Sequence, residues 1–128
     1  MNSAVLDASA VLAVLNQEPG TEQLTPEILR TALGSAVNLA EVQSKLVSDG
    51  MPPDMAWEAT INSVSQAVAF TSEQARVAGS LLAETRSLGL SLGDRACLAL
   101  ALERRAPVYT TDRSWKKLKL TIPIHVIR

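Results

Sequence analysis

The sequence predicts an α/β fold in which a parallel sheet is covered by helices on both faces. Short apolar runs recur along the chain, and each is followed by a segment with helical periodicity, which is the pattern of parallel β-α units. The 128 residues are 47% apolar, enough for the core of one domain and too few for two. We therefore predict a single domain over residues 1–128.

The first quarter of the chain contains two predicted strands and two predicted helices. The apolar residues 4–6 form the first strand, and residues 9–16 form a short helix that ends before a Pro-Gly pair. Residues 21–31 are predicted to be helical. Residues 33–37 form the second and weaker strand.

The middle of the chain repeats the alternation. Residues 38–48 form a helix that ends before Gly50, and two prolines open the next helix over residues 52–63. Residues 68–70 form the third strand. The threonine and glutamine at the start of residues 71–87 have capping-box spacing, which predicts a helix over that segment.

The last third contains the most apolar helix. Residues 91–102 begin with a Ser-Leu-Gly-Asp sequence, and the helix body over residues 96–102 is apolar on every side, which predicts deep burial. Residues 108–110 and 124–127 form the fourth and fifth strands.

Charge is unevenly distributed along the chain. Residues 1–103 contain 5 basic and 12 acidic residues, whereas residues 104–128 contain 7 basic residues and one acid, so the two parts carry −7 and +6. A basic end can face phosphate groups, but a solvated surface is the commoner explanation of such clusters. This stretch alone does not decide between the two interpretations.

The cysteine content and the hydropathy of the chain predict a cytoplasmic location. Cys97 is the sole cysteine, so no intramolecular disulfide can form, and we expect it to be a small buried residue. The sequence shows neither a signal peptide nor an apolar run long enough to span a bilayer. We expect a soluble protein that makes no membrane contact.

Four acidic residues are predicted to share one edge of the sheet. Asp7 directly follows the first strand and Asp112 closely follows the fourth, while Glu41 and Asp94 lie in the first turns of helices. The carboxyl ends of parallel strands and the N-termini of the returning helices meet at the same edge, where α/β proteins bind ligands. Each acid could also be a helix cap or turn residue, but four together would repel one another without a cation.

Oxygen ligands suit Mg²⁺ or Mn²⁺ better than zinc. A zinc site is further disfavoured because His125 is the sole histidine, and its position in the last strand favours a structural role. Carboxylates that hold a divalent ion beside a water molecule can support phosphodiester hydrolysis, although the same arrangement would serve a phosphatase.

Four sequence segments in this order resemble the motifs of PIN-domain ribonucleases, and in particular VapC-type toxins. The segments are Val-Leu-Asp-Ala-Ser-Ala, Asn-Leu-Ala-Glu-Val, Gly-Leu-Ser-Leu-Gly-Asp-Arg and Thr-Thr-Asp-Arg-Ser-Trp, at residues 5–10, 38–42, 89–95 and 110–115. The resemblance extends over essentially the whole chain. It implies a three-layer α/β/α fold with a five-stranded parallel sheet.

The resemblance also implies an activity, a cofactor and a site. The activity is a magnesium-dependent endoribonuclease, with Mn²⁺ as a substitute ion, and no acidic position of the family pattern is missing. The catalytic acids would be Asp7, Glu41, Asp94 and Asp112, and Asp7 and Asp94 would be the foremost metal ligands, with Asp112 as the third. Ser9 and Thr111 would be supporting hydroxyls. The candidate RNA contacts are Arg95 and Arg113, to which the basic stretch adds Lys116 and Lys117.

The resemblance further implies a biological setting. VapC-type proteins are toxins that cleave structured RNA such as transfer RNA or ribosomal RNA, are usually dimers, and are neutralised by an antitoxin protein. A PIN-like scaffold that binds RNA or protein without cleavage remains the alternative.

Two other classes with an acid after the first strand fit poorly. A haloacid-dehalogenase-type phosphatase needs a second acid two residues after Asp7, where this chain has Ser9. A receiver domain needs an Asp after the third strand and a Lys after the fifth, and neither is present.

Overall fold

A computed structural model describes residues 3–128 of the chain. Five short strands form one sheet: β1 Val5–Leu6, β2 Leu33–Ser35, β3 Gln66–Val68, β4 Val108–Thr110 and β5 Ile124–Val126. All four strand pairs are parallel, and the spatial order is β3-β2-β1-β4-β5. The prediction of a five-stranded parallel sheet is confirmed, and β1 lies at its centre.

Seven α-helices connect or flank these strands in the described part of the chain. They are α1 Ala8–Leu15, α2 Pro26–Arg30, α3 Ala36–Ser48, α4 Pro53–Asn62, α5 Ser72–Ser80, α6 Leu82–Thr85 and α7 Leu92–Arg104. Three 3₁₀ segments, Thr21–Gln23, Arg86–Leu88 and Arg113–Lys117, complete the regular structure.

Two apolar cores lie on opposite faces of the sheet, as expected for a three-layer α/β/α fold. Side chains of α1, α3 and α4 pack around Leu6, whereas those of α7 pack around Val5 and Val108. Residues 96–101 of α7 are all buried. The burial predicted for this helix is therefore confirmed.

Two predicted helices are divided in the structure. The prediction for residues 21–31 is wrong at its centre, because Pro26 lacks the N–H that a helix interior needs, and Thr25 caps a new helix there. The segment 71–87 ends its first helix at Ser80, and α6 and a 3₁₀ turn follow.

Two boundaries around β2 and β3 also differ from the prediction. Helix α3 begins at Ala36 and not at residue 38, because the Ser35 hydroxyl accepts from the backbone N–H of Val37 at 3.2 Å. Strand β3 lies two residues earlier than predicted, since its register pairs Gln66 with Leu33 of β2. The 3₁₀ segment after β4 was not predicted.

Within residues 3–128, no helix has both the length and the hydropathy required to cross a bilayer.

Candidate active site

Asp7 occupies the centre of the edge at which the parallel strands end. It follows β1 and caps α1, and its side chain is only 3% exposed. Its Oδ1 accepts from the Ser9 hydroxyl at 2.7 Å and from the Ala10 backbone N–H at 2.8 Å, while its Oδ2 accepts from the Thr110 hydroxyl at 2.5 Å. Both carboxylate oxygens are therefore oriented by the protein.

Burial makes the negative charge of Asp7 costly. The pKa of Asp7 is raised from 3.8 to about 6, mainly by desolvation and to a smaller extent by the nearby charge of Asp94. The hydrogen bonds from Thr110, Ser9 and Ala10 lower the pKa but do not cancel this rise. Three donors do not offset the loss of water around a carboxylate. A cation at this position would supply the missing compensation.

The hydroxyl groups around Asp7 belong to Ser9 and Thr110. The Ser9 hydroxyl donates to Asp7, and its oxygen also accepts from the Thr111 backbone N–H at 3.0 Å. The predicted role of the Thr111 hydroxyl is not what the structure shows, because Thr111 contacts this network through its backbone. The buried hydroxyl is that of Thr110, which also accepts from the Asp112 backbone N–H at 3.1 Å.

Asp94 serves as a capping residue and also lies near Asp7. It is the third residue of α7, where its Oδ2 accepts from the Ser91 backbone N–H at 2.9 Å and its own N–H donates to the Ser91 hydroxyl at 3.1 Å. This reciprocal pair is a capping box. Its charge nevertheless acts on Asp7, so the two explanations of Asp94 are compatible.

Glu41 reaches the site from the second turn of α3. The side-chain amide of Asn38 donates both to Glu41 Oε1 and to the Gly93 carbonyl oxygen, each at 2.9 Å. A Cβ on Gly93 would overlap the Glu41 carboxylate, so a glycine allows this close approach. Asn38 is the third residue of α3 and is buried, whereas Ser35 caps the helix.

Three of the four predicted acids converge. Burial raises the pKa of the Cys97 thiol well above its usual value, and the charges of Asp7, Asp94 and Glu41 raise it further. The contacts of Glu41 with Asn38 and Gly93 independently place this carboxylate beside the first turn of α7, which carries Asp94. Cys97 itself is fully buried, as predicted.

Asp112 lies at the rim of this cluster. Its side chain is exposed, and its Oδ1 accepts from the backbone N–H and the hydroxyl of Ser114 at 2.9 and 2.8 Å. The carboxylate thus caps the 3₁₀ segment Arg113–Lys117. Its link to Asp7 runs through its backbone N–H and the Thr110 hydroxyl.

The donor set fits a hard divalent cation. The converging side chains offer carboxylate oxygens, and Mg²⁺ commonly uses one or two protein carboxylates and fills its remaining positions with water and substrate oxygens. Among the described residues, no group of three or more His, Cys, Asp or Glu side chains is arranged to hold a metal ion. A magnesium ion bound mainly by Asp7 and Asp94 is consistent with both observations.

The candidate RNA contacts differ in their surroundings. Arg95 is partly buried and donates to the Ala78 carbonyl oxygen at 3.0 Å, so it contributes to the packing of α7 against α5. Arg113 is exposed and donates from Nε to the carbonyl oxygen of Arg128 at 3.1 Å. Lys116 and Lys117 are exposed in the 3₁₀ segment that Asp112 caps.

His125 stacks on Tyr109, with ring centroids 4.8 Å apart. The two residues are paired across β4 and β5. This contact is consistent with the structural role expected for His125.

Sequence reasoning missed Asn38, Gly93 and Thr110 as parts of the site. Strand alternation gives a signal for Thr110, because it faces the same side of β4 as the buried Val108. Asn38 carries a weaker signal, namely a polar residue on the apolar face of a helix. Nothing in the sequence marks Gly93 except its position directly before Asp94.

Comparison with solved structures finds the same fold in proteins of low sequence identity. A chain of the VapBC2 complex of Rickettsia felis, solved with a promoter DNA fragment, has a TM-score of 0.72 and 18% identity, covering 94% of this chain and 96% of that one. VapC20 of Mycobacterium tuberculosis, a toxin that cleaves the sarcin-ricin loop, has a TM-score of 0.73 and 17% identity over 91% and 97% of the two chains. VapBC-5 of the same organism has a TM-score of 0.66 and 24% identity over 96% and 98%.

The sequence comparisons give two results. A search of curated proteins finds no significant match. The family model described as the PIN domain matches residues 4–120, which include all four acids discussed above. The chain therefore belongs to the PIN domain family.

Proposed function

We propose that this protein is a divalent-metal-dependent endoribonuclease with one nuclease domain over residues 1–128. The observation that carries the proposal is the convergence of Asp7, Glu41 and Asp94 on one edge of a PIN domain, with the Asp7 charge buried and undercompensated. A buried carboxylate with a strongly raised pKa is characteristic of functional sites.

In this proposal Asp7 and Asp94 hold Mg²⁺, with Mn²⁺ as a substitute. The ion would lower the pKa of a nearby water and stabilise charge on the scissile phosphate. Asp112 would be a third ligand through its Oδ2, because both hydrogen bonds from Ser114 go to its Oδ1. The donor set contains only oxygen, in agreement with a preference for Mg²⁺ or Mn²⁺ over zinc.

The protein's own groups have separate tasks in hydrolysis. Ser9 and Thr110 fix the orientation of the Asp7 carboxylate through both oxygens. Glu41 would orient a water molecule and accept its proton, while the water oxygen bonds to phosphorus and the P–O bond to the departing strand breaks. Arg113, Lys116 and Lys117 would contact phosphates flanking the cut.

We further propose that the protein is the cytoplasmic toxin of a VapBC-type pair, a homodimer that cleaves a transfer RNA or a ribosomal RNA loop. Supporting this role are the VapBC complexes and the sarcin-ricin-loop toxin among its structural neighbours. An antitoxin arginine would fit the acidic edge, because a guanidinium pairs well with carboxylates. Such a contact would exclude both metal and RNA.

The alternative is a PIN scaffold that binds RNA or protein without cleaving it. The intact set of Asp7, Glu41 and Asp94 disfavours this alternative. It would gain support if the purified protein bound structured RNA tightly and left it intact with either metal.

A cleavage assay with matched variants tests the proposal. Purified protein free of antitoxin should cut structured RNA in Mg²⁺ or Mn²⁺ and should be inactive in excess chelator. Asp7→Asn and Asp94→Asn should each lose most activity, because a neutral amide binds such an ion weakly. Asp54→Asn is the control, because Asp54 is also a first-turn helix acid but is exposed on α4.

Full activity in chelator would refute the metal mechanism. Equal activity of the Asp7→Asn and Asp54→Asn proteins would refute the role assigned to Asp7.

A further inference from the structure

Asn38 is a buried amide between two of the converging elements. It lies in the first turn of α3 and is 1% exposed, on the same buried face as Leu39 and Val42. An amide buried among apolar residues lowers stability unless its hydrogen bonds are made. An apolar side chain would serve packing alone equally well, so the contacts of the amide need an explanation.

Both N–H groups of the Asn38 side chain donate to acceptors at the acidic site. The nitrogen donates to Glu41 Oε1 within its own helix and to the Gly93 carbonyl oxygen at the start of α7. The second bond joins α3 to the residue directly before Asp94. One side chain therefore fixes Glu41 relative to the helix that carries Asp94.

The oxygen of Asn38 has no partner, although it is buried. The residue is thus used for its two donors. Serine or threonine would offer one donor, and aspartate would offer none, since an ionised carboxylate only accepts. A primary amide has two N–H groups, one for Glu41 and one for the Gly93 carbonyl oxygen.

Glu41 needs such a contact more than the other two acids. Asp7 is fixed by three donors and Asp94 by its capping box, whereas the Glu41 side chain is exposed and longer. The hydrogen bond from Asn38 is the contact that holds its carboxylate against Gly93. Without it, the side chain would be free to turn into solvent.

We propose that Asn38 is a positioning residue, which holds the Glu41 carboxylate against the first turn of α7 and beside Asp94. This inference rests on the proposed ribonuclease function for its effect on rate, but the contact itself can be tested without RNA. Because Asn38 acts through Glu41, its loss lowers kcat and leaves RNA affinity nearly unchanged.

Asn38→Leu is the main test, and Gln74→Leu is its matched control. Gln74 is also a buried amide with an unpartnered oxygen. It donates to Glu103 at 3.0 Å, at the opposite end of α7 from Asp94. We expect Asn38→Leu to lower kcat about 10- to 100-fold, the range for residues that support a metal site from outside its ligand set. KM should change less than about threefold, and Gln74→Leu should keep the parent kcat.

A double-mutant cycle separates positioning from general damage. In the Glu41→Gln background, Asn38→Leu should cause little further loss of kcat, because coupled residues are not additive. Asn38→Ser, which keeps one donor, serves as a second variant if the leucine protein does not fold. Equal kcat in the parent and in folded Asn38→Leu, or an undiminished loss in the Glu41→Gln background, would overturn the proposal.

The side-chain amide protons give a readout that needs no RNA. In nuclear magnetic resonance spectra, the Asn38 amide protons should exchange with solvent much more slowly than those of the exposed Asn62. In the Glu41→Ala protein, exchange of the Asn38 amide should become faster. Rapid exchange in the parent would overturn the contact, whereas slow exchange without any RNA cleavage would refute only the proposed ribonuclease function.

Discussion

Replacing Asp7 with asparagine should stabilise the metal-free protein by about 2–3 kcal/mol at pH 7. The pKa of the buried carboxyl is raised from 3.8 to about 6, a change of roughly two units. Each unit corresponds to about 1.36 kcal/mol, so the ionised Asp7 costs the folded state about 3 kcal/mol relative to the unfolded chain. An amide removes that charge.

The hydrogen bonds around residue 7 can survive this substitution. The amide oxygen would still accept from Ser9 and Ala10, and the amide nitrogen would donate to the Thr110 hydroxyl. The Thr110 proton could then turn toward the Ser9 oxygen, which lies 3.3 Å away. This longer bond is weaker, which is why we expect a gain slightly below the full electrostatic cost.

The effect should depend on pH with a defined sign. The folded state holds the Asp7 proton more tightly than the unfolded chain, so the parent loses stability as the pH rises from about 4 to about 6. The Asp7→Asn protein lacks this loss. The difference between the two proteins should be near zero at pH 4 and reach its plateau above pH 6.

Urea unfolding in excess chelator between pH 4 and pH 8, followed by tryptophan fluorescence, measures this difference. Other carboxyl groups titrate in both proteins and largely cancel. Asp112→Asn is the control, because that carboxylate is exposed and its replacement should change stability by less than about 0.5 kcal/mol. Magnesium should then stabilise the parent far more than Asp7→Asn, by mass action on the folded state.

An asparagine protein that is less stable than the parent at pH 7, by an amount that does not vary with pH, would refute the reasoning. That result would mean that the hydrogen bonds to Asp7 outweigh its desolvation.

Two further predictions concern the neighbours of the site. Thr110→Val should destabilise the metal-free protein by about 1.5–3 kcal/mol, because it removes a hydrogen bond to a buried charge. Thr111→Val should change stability by less than about 0.5 kcal/mol, because the backbone N–H that contacts Ser9 remains. Equal effects of the two substitutions in urea unfolding would contradict the conclusion that Thr110, and not Thr111, supplies the buried hydroxyl. Replacing Lys116, Lys117 and Lys119 together with glutamine should lower the affinity for RNA and flatten its salt dependence, if the basic stretch binds RNA. The kcat at saturating RNA should not change. An unaltered salt slope in filter binding would identify these lysines as a solvated surface.

Much of the fold could be predicted from sequence because its signals are local. An apolar run such as Val5–Leu6 buries both faces of a strand, and a helix that is apolar on every side, such as α7, can only be stable when surrounded. The misplaced boundaries have a different origin. The bounds of β3, Gln66–Val68, are set by its pairing with β2, which lies more than thirty residues earlier in the chain.

The candidate site shows the same division. The sequence was sufficient to identify which acids follow strands or lie near the N-termini of helices. Parallel topology brings those positions to one edge of the sheet. The sequence could not distinguish Asp112, whose carboxylate caps a 3₁₀ segment, from Asp7, whose carboxylate is buried. Both follow a strand in the sequence, and only burial separates them.

The contacts of each carboxylate and the free-energy cost of its charge depend on the tertiary structure. The donors to Asp7 include Thr110, 103 residues away, and the amide that fixes Glu41 also binds Gly93, 55 residues away. Desolvation depends on all the atoms packed around a group, and a hydrogen bond depends on distances of a few ångströms between distant segments. Sequence patterns carry neither quantity, because they record what each residue is and not what surrounds it after folding.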